Sequence, residues 1–92
     1  MSAGAANDPL SLRVTVTDGW RVMPMALPPS APVAELKRRA LEGASISPRL
    51  ASHYEVKYGG ALVADETLRL DAVGIPDGAG LVVLPRRRRP VR

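Results

Sequence analysis

Cysteine is absent from the chain. That excludes a disulfide framework, a thiol nucleophile and any cysteine-based metal site. The single histidine, His53, lies at a loop-to-strand boundary with no second His or Cys to complete a metal site. It reads as a surface or hydrogen-bonded residue rather than a ligand or catalyst. No run approaches the roughly 20 apolar residues that cross a bilayer, so membrane insertion is not expected. The opening MSAGAANDPL has neither a basic stretch nor a continuous apolar core, so it reads as a flexible lead over residues 1–10 rather than a secretory signal. Asp65, Glu66 and Asp71 are scattered among turn residues, and no nucleophile pairs with a base. The chain is expected to be a cytoplasmic non-enzyme without cofactor or metal.

What is present begins with 92 residues, 46% of them hydrophobic, which is enough for one small core and argues against wholesale disorder. The net charge of +4 is unevenly placed. Arg86, Arg87, Arg88, Arg89 and Arg92 sit in the last seven positions, and without these five residues 1–85 carry a net −1. The body is therefore near neutral, and the basic character belongs to a tail over 86–92.

Hydrophobic periodicity organises residues 11–85. SLRVTVTD alternates, with Leu12, Val14 and Val16 on one face and Arg13, Thr15 and Thr17 on the other, the pattern of a half-buried strand. Asp18-Gly19 is a frequent hairpin pair. RVMPMALP then places Met23, Met25 and Leu27 on one face, and Pro24 marks this second strand as an edge. Ser30 is a candidate N-cap for a helix in PVAELKRRALEG, with Pro32 in its first turn. Val33, Leu36, Ala40 and Leu41 form its apolar stripe, Lys37, Arg38 and Arg39 its expected outer side, and Gly43 its expected terminator. YEVKY alternates again, Gly59-Gly60 turns the chain, and ALV is a short strand. Leu68, Leu70, Val73 and Ile75 anchor a loop, Asp77-Gly78 turns, and LVVLP closes the order β-β-α-β-β-β.

This order, with PVAELKRRAL as the helix, VKYGGALV as third strand and turn, and LRLDAVGIPDGAGLVVL fitting L-x-x-x-G-I-x-x-G-x-x-L-x-V, resembles the ubiquitin-like β-grasp family. The resemblance implies an α+β fold with one helix across a mixed sheet of order 2-1-5-3-4. The expected core is Leu12, Val14, Val16, Met23, Met25, Leu27, Val33, Leu36, Ala40, Val56, Tyr58, Leu70, Ile75, Leu81 and Val83.

The family's conjugated and sulfur-carrying members end in Gly-Gly, because only a tail without side chains threads the activating sites. PRRRRPVR has no glycine, so processing to a modifier or sulfur carrier is disfavoured. The family's apolar binding patch falls by motif on Lys57, Val82 and Leu84, with Trp20 in the hairpin nearby. Lys57 makes that patch half charged, implying a dedicated protein partner. Trp20 either folds over the sheet edge or stands out as an anchor. The arginine tail is open to three readings: a solvated end, non-specific phosphate binding to nucleic acid, or docking on an acidic protein surface. No aromatic residues are interleaved with it for base stacking. The favoured reading is an unconjugated adaptor, monomeric when free, similar to the YukD-like proteins of bacterial type VII secretion systems, with monooxygenase accessory subunits as another unconjugated parallel.

Overall fold

The computed structural model describes residues 8–86. Strands β1 (Leu10–Val16) and β2 (Arg21–Leu27) form a hairpin, and helix α1 (Val33–Gly43) follows. A 3-10 turn (Pro48–His53) leads into β3 (Tyr54–Tyr58) and the short β4 (Ala61–Leu62). A single helical turn, α2 (Leu70–Val73), precedes β5 (Gly80–Pro85). The sheet order is β2-β1-β5-β3-β4, with β1 and β5 parallel and the other neighbours antiparallel. The fold is the expected ubiquitin-like β-grasp, with α1 packed across the mixed sheet.

The alternation read in the sequence decides which side of the sheet meets the helix. Leu12, Val14 and Val16 of β1, Val56 of β3, and Leu81 and Val83 of β5 are buried against Val33, Leu36, Ala40 and Leu41 of α1. Burying such a side chain contributes about 1.5–3 kcal/mol. Leu27, Tyr54, Val63, Leu70 and Ile75 close the ends of this layer. Met23, Met25 and Tyr58, expected in the core, are only partly buried. Both methionines lie on the edge strand. A Cβ added at Gly43 would come within 2.7 Å of Met23 Sδ, so Met23 reaches only the last turn of α1. Tyr58 stands at the turn into β4, covered by a two-residue strand and the loop after it.

Both helix ends differ from expectation. Ser30 does not cap α1: the N-cap is Pro32, with no side-chain bond. Val33 N donates to Leu68 O (2.9 Å) and Ala34 N to Glu66 O (2.9 Å), so a distant loop supplies the acceptors a capping side chain would give. At the other end Gly43 remains helical, and Ser45 takes the left-handed conformation with φ 63°. Ser45 N donates to Glu42 O (3.0 Å) and Ile46 N to Leu41 O (2.8 Å), the bond pair of a Schellman ending.

Lys37 is the larger correction. It is buried, not on the outer side with Arg38 and Arg39. Its position continues the row from Val33 to Leu41 at intervals of one turn, so the backbone directs it inward. Lys37 Nζ donates to Tyr54 O (3.0 Å) and pairs with Glu66 Oε1 (2.6 Å). Arg38 and Arg39 do face solvent, where Glu35 and Glu42 meet them.

The hairpin turn is also longer than Asp18-Gly19 alone. Val16 pairs with Arg21, so residues 17–20 form the turn, closed by Trp20 N donating to Thr17 O (3.0 Å). Pro24 pairs with Arg13 on β1, whose own N–H goes to Ala79 O on the opposite side (2.9 Å). The Arg13–Pro24 pair therefore exchanges no ladder bonds, and the missing proline N–H lies on the open edge, as a proline in an edge strand requires. Among the described residues, no helix is long and apolar enough to cross a membrane.

Candidate protein-interaction surface

The helix covers one side of the sheet; the other carries the residues singled out above. Strand register aligns them. Val22 pairs with Thr15, Thr15 with Val82, Val82 with Lys57, and Lys57 with Leu62. Paired residues share a face, so this row crosses all five strands on the side away from α1. Leu84 pairs with Glu55 in the adjacent row. Val82, Leu84, Lys57 and Glu55 are half-buried, whereas Leu62 and Val22 are exposed.

The expected patch of Lys57, Val82 and Leu84 is thus brought together, Lys57 directly beside Val82. Thr17, Glu55, Lys57, Leu84, Pro85 and Arg86 line a shallow open depression at its end. Trp20 does not fold over the edge: it is 75% exposed, with φ 50°. A bulky L-residue in that region is a backbone outlier, costing about 1–2 kcal/mol. Neighbouring Gly19, at φ 80°, takes a similar conformation without the Cβ clash. The turn is held from below by Asp18, whose Oδ2 accepts from the Tyr54 hydroxyl (2.6 Å). That bond, with burial adding to it, raises the Tyr54 hydroxyl above its ordinary value.

Arg86 leaves β5 in a defined place. Its N–H donates to His53 O (2.8 Å) and its Nε to Ser52 O (2.9 Å), while Glu55 and Glu66 carboxylates stand 4.0 Å from its guanidinium. Arg87, Arg88, Arg89 and Arg92 lie outside the described residues. Val22, Leu62, Glu55 and Arg13 join this side of the sheet although sequence reasoning did not single them out. Alternation places each on an outer face, but only the five-strand register shows that they share one. Among the described residues, no three His, Cys, Asp or Glu side chains are grouped to hold a metal, and every buried side-chain polar atom has a partner.

No protein-family model matches the chain, and no curated protein matches it in sequence. Solved structures match in shape. Ubiquitin of Caldiarchaeum subterraneum is 17% identical with a TM-score of 0.72, covering 89% of this chain and 99% of its own. The ubiquitin-like domain of Plasmodium falciparum Dsk2 is 19% identical at a TM-score of 0.72, covering 85% of this chain and 99% of its own. The C-terminal ubiquitin-like domain of mouse tubulin-specific chaperone e is 16% identical at a TM-score of 0.72, covering 99% of this chain and 100% of its own. At these identities the likeness is one of fold, and the fold is ubiquitin-like.

Proposed function

We propose that the chain is a non-catalytic protein-interaction module, an adaptor that binds a dedicated partner through Lys57, Val82 and Leu84, with Trp20 at the rim. The observation that carries this reading is the pairing of Lys57 with Val82, beside Leu84, on the side of the sheet that α1 leaves open. Ubiquitin-like domains generally work by binding other proteins, and several of the structural neighbours are such domains within named proteins. A lysine within the apolar patch selects for a partner that offers it a carboxylate, which favours specificity over strength. The arginines from Arg86 onward begin at the rim of the same face and add electrostatic attraction. Where conjugated members carry Gly-Gly after the last strand, this chain has arginine, so the module acts without being attached to a target. With Pro24 interrupting one sheet edge, it works as a monomer when free, in the cytoplasm.

The test uses the full chain, a Val82→Asp/Leu84→Asp variant, and a form lacking 87–92 that keeps Arg86 because its bonds belong to the fold. Each is used to capture partners from native lysate at low and high salt. A protein retained by the shortened form and lost with the double substitution supports the reading. Recovery of nucleic acid alone, abolished by shortening or by salt, refutes it and makes the arginines the functional element.

A further inference from the structure

Lys37 and Lys57 are the two lysines of the chain; every other basic side chain except His53 is an arginine. All the arginines from Arg13 to Arg86 are exposed. Lysine is kept for two places. One is the buried pair with Glu66, and the other is the middle of the open sheet face, where Lys57 pairs with Val82 on one side and Leu62 on the other. The two cation types differ in chemistry. A guanidinium group stays charged and is a poor nucleophile at neutral pH, whereas a lysine amine accepts acyl groups and is then neutral.

Access separates the two lysines. The Lys37 side chain is 5% exposed, and its Nζ is held by Glu66 Oε1 (2.6 Å) and Tyr54 O (3.0 Å). An acyl group there would end both contacts and leave a carboxylate unpaired inside the fold. Lys57 is half-buried and lines the open depression together with Glu55, Leu84 and Arg86. Among the described residues its Nζ forms no ion pair and no hydrogen bond. Glu55, on the same face two residues earlier, stands 4.0 Å from the Arg86 guanidinium.

Acylation of Lys57 therefore breaks no contact of the fold and changes one property of the face: the cation between Val82 and Leu62 becomes a neutral amide. We infer that Lys57 is the acyl-acceptor site of the chain, and that its modification by an activated acyl donor, a thioester or an acyl phosphate, releases a partner bound through a carboxylate. This rests on the reading of the sheet face as the partner surface. In the step, the ammonium group gives a proton to solvent and the Nζ lone pair adds to the acyl carbon. The C–N bond of the amide forms as the C–S or C–O bond breaks. The thiolate or phosphate leaves with that bonding pair, and the second amine proton passes to solvent. The surface loses one positive charge and gains a longer side chain that no carboxylate can pair with.

The test incubates the isotope-labelled full chain with acetyl phosphate and, separately, with acetyl-CoA, and locates the acetyl groups by peptide mass mapping. Treated and untreated chains are then titrated with N-acetylleucine, an apolar side chain beside a free carboxylate, and with its uncharged amide, followed by the amide NMR shifts of Lys57, Val82 and Leu84. Lys57 is expected to react at least about tenfold faster than Lys37, which is reached only when the fold opens, and the urea midpoint should not change. The untreated chain should bind the carboxylate at least about threefold more tightly than the amide, and the acetylated chain should bind both alike. Reaction with only one of the two donors supports the inference and assigns the donor. Lys57→Arg takes no acetyl group at that position, so its titration should be the same before and after treatment. Equal acetylation of Lys37, a lowered urea midpoint, or a carboxylate preference that survives acetylation of Lys57 would each overturn this inference alone. A chain without the preference before treatment would overturn it together with the carboxylate-reading role of Lys57.

Discussion

The buried pair Lys37–Glu66 carries the heaviest expected penalty of any polar contact in the fold. Lys37 Nζ lies 2.6 Å from Glu66 Oε1, with side-chain exposures of 5% and 16%, and its other protein partner is the Tyr54 carbonyl at 3.0 Å. Glu66→Gln removes the balancing charge while keeping the shape, and leaves an ammonium group in an environment that solvates it poorly. Breaking one side of a buried pair costs about 3–5 kcal/mol, while an exposed pair is worth about 0–1 kcal/mol. The partial exposure of Glu66 places the expected loss near the lower figure, about 3 kcal/mol. A domain of this size has roughly 4–12 kcal/mol in total, so the variant should still fold with a greatly lowered urea midpoint. Lys37→Met/Glu66→Leu should lose less than Glu66→Gln, because the apolar pair leaves no unpaired charge. Far-UV circular dichroism is the right readout, since Trp20 is exposed in the native state and its emission would change little on unfolding. A loss below about 0.5 kcal/mol for Glu66→Gln, the range of a surface pair, would refute the argument that Lys37 depends on its carboxylate.

Two further outcomes are expected. Ser45→Gly removes a Cβ from the left-handed position after α1, where φ is 63°, and should raise stability by about 0.5–1 kcal/mol after allowance for the more flexible unfolded chain, read as a higher urea midpoint. Tyr54→Phe should cost about 1 kcal/mol at neutral pH by removing the bond to Asp18. Because that bond raises the folded pKa of Tyr54, its stabilisation is complete below the ordinary tyrosine value of 10.0 and is lost as pH rises through the folded value. The difference in stability between the native chain and Tyr54→Phe should therefore shrink above pH 10.0, and a constant difference across that range would contradict the assignment.

What the sequence shows plainly is the fold, because each of its signals is local or has a fixed spacing. The alternation through Leu12, Val14 and Val16 fixes one face of β1, and the spacing from Leu70 through Gly74, Ile75 and Gly78 to Leu81 and Val83 fixes the last loop and strand. Lys37 was equally available to spacing, lying one turn from both Val33 and Leu41, but its charge suggests the outside. The missing information was its distant partner: the acidic group that makes burial tolerable lies beyond β4. The cap of α1 has the same character. Nothing near Ser30 announces that residues 66 and 68 supply the acceptors, which are backbone oxygens and leave no trace in residue type. The candidate face was half legible. Val82, Leu84 and Lys57 follow from the family motif, whereas the row joining them to Val22 and Leu62 exists only once the register of five strands is set.

That loop from Asp65 to Arg69 joins the two sides of the molecule. Glu66 O and Leu68 O accept from the start of α1, Leu70 N donates to Ala31 O, and the Glu66 carboxylate faces both Lys37 within the fold and Arg86 at the rim of the sheet face. Asp65 fixes the loop itself by accepting from Thr67 N (3.0 Å) and the Thr67 hydroxyl (2.5 Å), bonds that also hold its carboxyl below the usual range. Glu66 is therefore asked to serve two cations of unequal need. The 2.6 Å contact with desolvated Lys37 takes precedence, and Arg86, at 4.0 Å and well solvated, relies on the carbonyls of Ser52 and His53 to hold its place. This division keeps the start of the arginine segment anchored without drawing the carboxylate out of the fold. An acidic partner that engages the arginines consequently competes with the weak Glu66 contact rather than with the buried pair.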